Sequence, residues 1–214
     1  MTPYIIWDWN GTLLDDVDAA VNALNRMLVA RSLKPTTRAF YRAHFGFPVR
    51  PFYTTLGVDL DHDDWNQICR EFHAFIGQEP QSLRTDAHAA LTTARDAGIG
   101  QSLLSALRED LLVRDAARHG VDAFMDAICG VDNLDGATKL SRGQELIALL
   151  KARAAAGDVV FHVIGDTLHD AEVAQALGAR CILVDGGHQA ADRLAASGFP
   201  VAATPLEAVQ LCRP

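Results

Sequence analysis

From residue 85 onward the chain repeats one unit: a short apolar run, a polar or acidic stop, then an amphipathic stretch closed by glycine. Ile99–Leu104 precedes a helical stretch over Glu109–Arg118 that ends at Gly120. Val159–Ile164 precedes Leu168–Leu177 and Gly178. Ala127–Gly130 and Cys181–Val184 are further strand-like runs, and Tyr4–Trp7 is an earlier one. Helices are expected over Asp86–Ala97, Leu140–Ala156 and Pro205–Leu211. Runs that are apolar on both alternating faces are strands covered on both sides. Alternated with helices, they predict an α/β fold: a doubly wound parallel sheet, Rossmann-like, with helices on each face.

One stretch breaks this rhythm. Asp16–Arg31 has Val17, Val21, Leu24 and Leu28 at helical spacing, and residues 36–77 are rich in Phe, Tyr and Trp without strand alternation. Several short helices are expected there, inserted between the first strand and the rest. The chain therefore divides into a core, residues 1–15 and 86–214, and a small α-helical cap, residues 16–85.

The formal net charge of −8 lacks the cationic footprint of a nucleic-acid binder. It also opposes an anionic ligand at long range, so a phosphate pocket here must be locally basic or metal-assisted. The four cysteines form no CxxC pair and read as buried free thiols of a reducing compartment. No apolar run reaches membrane-spanning length. A cytoplasmic protein, monomer or homodimer, without membrane or nucleic-acid partners is expected.

Parallel sheets place ligands beyond the carboxyl ends of their strands. Asp8, Ser105 and Asp166 fall at such ends, Asp170 follows in the first turn of the next helix, and Lys139 lies in the loop before the long helix. Ser102 is a rival for Ser105. An Asp at a strand end is often only a helix cap. Three converging carboxylates are harder to dismiss, because two like charges 4 Å apart repel by about 4 kcal/mol at an effective dielectric near 20. A hard divalent cation offsets this best, and Mg²⁺ needs few protein carboxylates because it keeps several waters.

These residues resemble the haloacid dehalogenase-like hydrolase superfamily. Asp8-Trp9-Asn10-Gly11-Thr12-Leu13 is similar to its first motif, D-x-D-G-T-L, and Gly165-Asp166-Thr167-Leu168-His169-Asp170 to its fourth, G-D-x-x-x-D. Ser105 and Lys139 fall where the second and third motifs belong. Gly187-His188-Gln189 is similar to the tail of phosphoglycolate-phosphatase-like members. The resemblance implies Mg²⁺-dependent hydrolysis of a small phosphorylated metabolite. Asp8 would be the nucleophile, and Asp8, Asp166 and the backbone carbonyl of Asn10 would be metal ligands. Asp170 would act through metal-bound water or by holding Lys139. Thr12 and Ser105 would donate to the phosphoryl oxygens and Lys139 would balance their charge.

The match departs at Asn10, where phosphatases of the family carry a second Asp that protonates the leaving group. An amide neither gives nor takes a proton. Three readings stay open. Another group such as Asp15, Asp16 or His169 relays protons; or turnover is slow or confined to good leaving groups; or the protein binds a phospholigand with little turnover. A phosphotransferase or mutase is a further alternative, weakened by Asn10, and Lys139 with the paired Asp166 and Asp170 favours phosphate chemistry over dehalogenation.

In the cap, Arg42, His44 and Arg50 flank Phe45-Gly46-Phe47-Pro48, and Arg50 is a candidate to grip a second anionic group of the substrate. The cap aromatics read as small-domain core, and Asp59, Asp61, Asp63 and Asp64 as a solvated acidic turn that lacks the glycine and glutamate of a calcium loop.

Overall fold

The computed structural model describes residues 2–132, 139–153 and 159–212. Its centre is a six-stranded, all-parallel sheet in the order β5-β4-β1-β6-β7-β8. The strands are β1 (Thr2–Trp7), β4 (Gly100–Arg108), β5 (Ala127–Val131), β6 (Val159–Gly165), β7 (Arg180–Val184) and β8 (Val201–Ala202). β1 lies in the middle, paired with β4 through Tyr4–Gly100 to Trp7–Leu103 and with β6 through Thr2–Val159 to Trp7–Ile164. Chain order reverses across β1, so Asp8 leaves the sheet at its topological switch point.

The helices α5 (Ala87–Asp96), α6 (Glu109–Arg118), α7 (Lys139–Arg153), α8 (Leu168–Ala176) and α10 (Pro205–Leu211) cover the two faces, with the short α9 (Ala191–Ala196) near β8. Each face has its own core. Ile5, Trp7, Leu91, Leu103 and Leu112 build one, and Ile6, Leu104, Leu146, Val163 and Leu183 the other. Successive β1 residues Ile5 and Ile6 thus bury on opposite faces, as the period of two requires. Two polar bonds cross the first core: Trp7 Nε1 donates to Gln101 Oε1 at 2.9 Å, and Gln101 Nε2 donates to the Leu91 carbonyl at 3.0 Å, which satisfies both buried side chains.

Between β1 and α5 lie α1 (Val17–Ala30), α2 (Arg38–His44), α3 (Arg50–Thr55) and α4 (Trp65–Ile76). They share a third core of Val17, Leu24, Leu28, Tyr41, Phe52 and Ile68. The chain leaves and re-enters the larger unit through an antiparallel pair absent from the sequence reading, β2 (Leu14–Asp15) with β3 (Ser82–Leu83). Strands of two residues carry no periodicity to detect. The acidic turn before α4 is satisfied locally, with Asp59 accepting from the Asp61 backbone at 3.1 Å and from His62 Nδ1 at 2.7 Å. No helix among the described residues is long and apolar enough to cross a membrane.

Two expected bounds change. β4 continues past Leu104 to Arg108 with a register shift against β5, so Ser105 sits at an irregularity within the strand rather than after it. Lys139 is the first residue of α7, not part of a preceding loop. The expected end of that helix, 154–156, lies outside the described residues.

Candidate active site

The loop after β1 turns sharply at Gly11, whose φ of +73° is a left-handed conformation that favours glycine. Space demands glycine there as well. A Cβ on Gly11, or on Gly187 in the loop after β7, would run into the Asp166 carboxylate. Both backbones close over the Asp166 carboxylate. The backbone N–H of His188 donates to Asp166 Oδ2 at 2.5 Å. Thr12 Oγ1 donates to its Oδ1 at 3.2 Å.

Asp8, Asp166 and Asp170 converge: one carboxylate oxygen from each lies within 4.8 Å of the others, and all three residues are buried. Lys139, itself only 3% exposed, places Nζ 2.6 Å from Asp8 Oδ1 and 2.6 Å from Asp170 Oδ1. Asp170 spends its other oxygen on the start of α8, where Oδ2 accepts from Thr167 N at 3.0 Å and Thr167 Oγ1 at 2.7 Å. Both of its oxygens are therefore engaged, and in this arrangement Asp170 holds the lysine.

One ammonium cannot neutralise three buried carboxylates. Burial pushes Asp8 up to about 7, with Lys139 pulling it down and Asp170 and Asp166 pushing it further up. Burial likewise raises Asp166 to about 6, with Asp170 adding to the shift. Burial would raise Asp170 too, but Lys139 and the Thr167 hydroxyl outweigh it and hold that carboxylate low. For Lys139 burial works against the charge, yet the two carboxylates keep it protonated. An all-oxygen donor set with excess negative charge fits a hard divalent cation: Asp8 and Asp166 have the position and charge to bind it.

A second network stands beside the first. Asn10 Nδ2 donates to Asp16 Oδ2 at 2.7 Å, and Gly11 N donates to Asp16 Oδ1 at 2.8 Å. His188 Nε2 lies 3.2 Å from that same Oδ1, and its Nδ1 lies 2.9 Å from the Tyr41 hydroxyl. Burial would discharge His188, but Asp16 outweighs it and lifts the imidazole to about 9. Burial would raise Asp16, but His188 outweighs it and holds that carboxylate below its ordinary range. The pair is charged at neutral pH.

Asp8, Asn10, Ser105, Lys139, Asp166 and Asp170 all line one cavity of about 530 Å³ between the sheet edge and the helices of residues 17–76. Ser105 is buried, its Oγ accepts from Leu107 N at 3.1 Å, and its proton is left to donate. Ser102 lies deeper in β4, bonded to the Tyr4 hydroxyl at 2.6 Å, and does not line the cavity.

Other expectations need correction. Thr12 is wholly buried behind Asp166 and orients that carboxylate instead of facing the cavity. Arg50 is exposed, with its guanidinium 5.1 Å from the centroid of the Trp65 ring, and does not line the cavity. His169 stacks on Phe47 at 4.8 Å and pairs with Glu172, and it does not line the cavity. The cap aromatics are not core alone, because Tyr41, Phe45, Phe52 and Tyr53 also present surface to the cavity.

Asp16, His188 and Tyr41 join the site through contacts that sequence spacing does not carry. The signal for His188 was its place in the loop after Cys181–Val184, another carboxyl end of the same sheet. That loop also receives the helices of residues 17–76. Arg42 donates to Asp185 Oδ1 at 2.9 Å and to the carbonyls of Gly187 and Gln189 at 2.8 and 2.9 Å. Gln189 Nε2 and Arg193 Nη1 donate back to the Phe45 carbonyl at 3.0 and 2.7 Å.

No curated protein matches the chain by sequence. Solved structures match its fold along nearly all its length. A haloacid dehalogenase-like hydrolase from Streptococcus pneumoniae is 18% identical with a TM-score of 0.80, covering 100% of this chain and 99% of that one. Protein tyrosine kinase A of Mycobacterium tuberculosis is 19% identical with a TM-score of 0.77, covering 99% and 98%. A predicted phosphoglycolate phosphatase from Haemophilus somnus is 12% identical with a TM-score of 0.73, again covering 99% and 98%. The family model for haloacid dehalogenase-like hydrolases matches residues 5–184. This chain belongs to the haloacid dehalogenase-like hydrolase family.

Proposed function

We propose that the protein hydrolyses phosphomonoesters through a phosphoryl-aspartate on Asp8, with Mg²⁺ bound by Asp8, Asp166 and the Asn10 backbone carbonyl. The observation that carries this reading is the position of Lys139, buried and 2.6 Å from both Asp8 and Asp170 while Asp166 lies alongside. Such a cluster, with its excess of buried negative charge, is costly for the fold unless a cation completes it. The phosphatase named among the structural neighbours is consistent with it.

The cation, when bound, supplies charge neutralisation and lets Asp8 stay ionised beside the incoming phosphoryl group. The chain's own residues do the rest. Asp8 attacks phosphorus, dividing one displacement into two. Lys139 offsets charge on the phosphoryl oxygens, and the Ser105 hydroxyl donates to one of them. Asp170 keeps Lys139 in place. Helices 17–76, read as a cap over residues 16–85, exclude bulk water from the cavity. Asn10, with Nδ2 given to Asp16, can orient a water through Oδ1 but cannot take its proton.

The deciding assay is phosphate release from a panel of phosphomonoesters with and without Mg²⁺, for the wild type and Asp8→Asn. Release that needs the metal and Asp8 is expected. Metal-independent release sinks the mechanism. Asn10 favours a second reading, a phospholigand-binding protein of low turnover, and phosphate-analogue binding without release from any panel member would select it.

A further inference from the structure

We propose that the cavity above Asp8 receives the alcohol part of the substrate and is built for a flat aromatic ring system, so that the preferred substrates are aryl phosphomonoesters. Turnover of such substrates rests on the phosphatase reading above; their binding does not.

The catalytic residues occupy only the floor of the cavity of about 530 Å³, a volume in the range of small-molecule pockets. Leu24, Tyr41, Phe45, Phe52, Tyr53 and Phe72 line one part of it, and Glu79, Gln81, Asp115 and two arginines line another. The rings are fixed by one another. Phe45 lies 5.6 Å from Phe52 at 86°, and 4.8 Å from Tyr41 at 16°. A wall of held ring faces and edges suits an aromatic guest, which can adopt the same stacked and edge-on contacts. The Tyr41 oxygen accepts from the charged His188, and its hydroxyl proton is left to donate.

The charges argue the same way. A phosphorylated hydroxy acid would bring a second anion and need a cation inside the cavity. Arg42 is committed to Asp185, Gly187 and Gln189, and Arg84 to the carbonyls of Gly11 and Asp185 at 3.0 and 2.7 Å. Arg50 does not line the cavity, while Arg114 and Arg118 do so only from exposed positions on α6. Seated against the aromatic part of the lining, a sugar phosphate would leave hydroxyls unpaired, at a cost for each.

Asn10 supplies a chemical reason that is independent of shape. General-acid help with a leaving group is worth about 10²–10⁴-fold, and an amide gives none. An aryl oxide needs the least help. Asp8 forms its bond to phosphorus as the phosphorus–aryl oxygen bond breaks, and the bonding pair leaves on the aryl oxygen, which takes a proton from solvent. Water then forms the new phosphorus–oxygen bond, the aspartyl–phosphorus bond breaks back to the carboxylate, and the water's protons pass to phosphate and solvent.

The test is calorimetric titration of the full chain with Mg²⁺ present, using two non-hydrolysable probes, 1-naphthylmethylphosphonate and methylphosphonate. The naphthyl probe is expected to bind at least about tenfold tighter, a modest share of what burying two fused rings yields. Leu111→Trp, at a partly exposed position of α6 on the cavity wall, is expected to erase that preference. Equal affinities in the wild type, or a preference undiminished in the variant, overturn the inference; should the variant not fold, the wild-type ratio alone decides. Phosphate release separates this idea from the one it builds on. Release from phosphoglycolate or glycerol phosphate but not from 2-naphthyl phosphate removes the aryl preference and leaves the phosphatase standing. Tight naphthylphosphonate binding with no release from any ester keeps the aromatic site and removes the phosphatase.

Discussion

Asn10 Nδ2 donates a hydrogen bond to Asp16 Oδ2 at 2.7 Å, so the position where related phosphatases carry an acid is instead tied to an acid six residues later. Asn10→Asp therefore places two carboxylates in contact. At such separations and an effective dielectric near 20 the repulsion is about 4 kcal/mol, which one retained proton relieves. That proton sits beside the leaving group. Asn10→Asp should raise kcat/KM for alkyl phosphates about tenfold or more while aryl phosphates gain little. It should also lower the melting temperature, with recovery when Asp16→Asn is added. Identical alkyl-to-aryl ratios in wild type and variant would show that Asn10 does not limit proton transfer.

Replacing Lys139 by methionine keeps most of the volume and removes the ammonium that bridges Asp8 and Asp170. Breaking a buried pair this way costs about 3–5 kcal/mol in the metal-free protein, because the carboxylates are left facing each other. Urea unfolding checks the figure, and saturating Mg²⁺ should return part of it. A loss below about 0.5 kcal/mol, the usual size for a surface change, would mean the cluster is not held as described.

The raised carboxylates link metal binding to pH. Asp8 moves from 3.8 to about 7 and Asp166 from 3.8 to about 6. Between the ordinary and the raised values the folded chain holds more protons than the unfolded one, so these groups make the metal-free fold less stable as pH rises through that window. His188, raised from 6.5 to about 9, acts in the same direction above it. Mg²⁺ competes with the protons on Asp8 and Asp166. The rise in melting temperature that Mg²⁺ produces should therefore be small near about pH 5 and grow toward about pH 8. A shift independent of pH would contradict the assignment of these carboxylates to the metal.

Arg42 makes three bonds from α2 to the 185–189 loop. Arg42→Ala should loosen the helices of residues 17–76 from that loop. Amide exchange over 185–190 should speed up, and KM should rise several-fold with the melting temperature nearly kept, since the three cores do not depend on this contact. Unchanged exchange would show that Gln189 and Arg193 suffice to hold the two units together.

The doubly wound sheet was legible because both-face burial leaves largely apolar runs: Tyr4–Trp7 is one, Ile99–Leu104 carries Gln101 and Ser102 between its apolar ends, and Val159–Ile164 is broken only by His162. The stops after the first and third runs were legible for a related reason. A residue leaving the carboxyl end of a parallel strand has one rim to go to, so Asp8, Asp166 and the adjacent Asp170 could be grouped before any distance was known. Lys139 followed from the motif order, although its place at the start of α7 did not.

What composition and period cannot carry is which side chain a neighbour has already claimed. Thr12 is spent on Asp166, Arg42 on the 185–189 loop, and Asp170 on Lys139, and those commitments cross 31 to 154 residues of chain. The pairing of Asp16 with His188 spans 172 residues and leaves no local trace in either segment. Local pattern determined the layers and the rim on which chemistry sits, because hydrophobic burial and strand direction are encoded residue by residue. Tertiary packing alone decided the partners, the fully engaged Asp170 and the aromatic cavity above Asp8, because hydrogen-bond distance between remote segments exists only once the chain has closed.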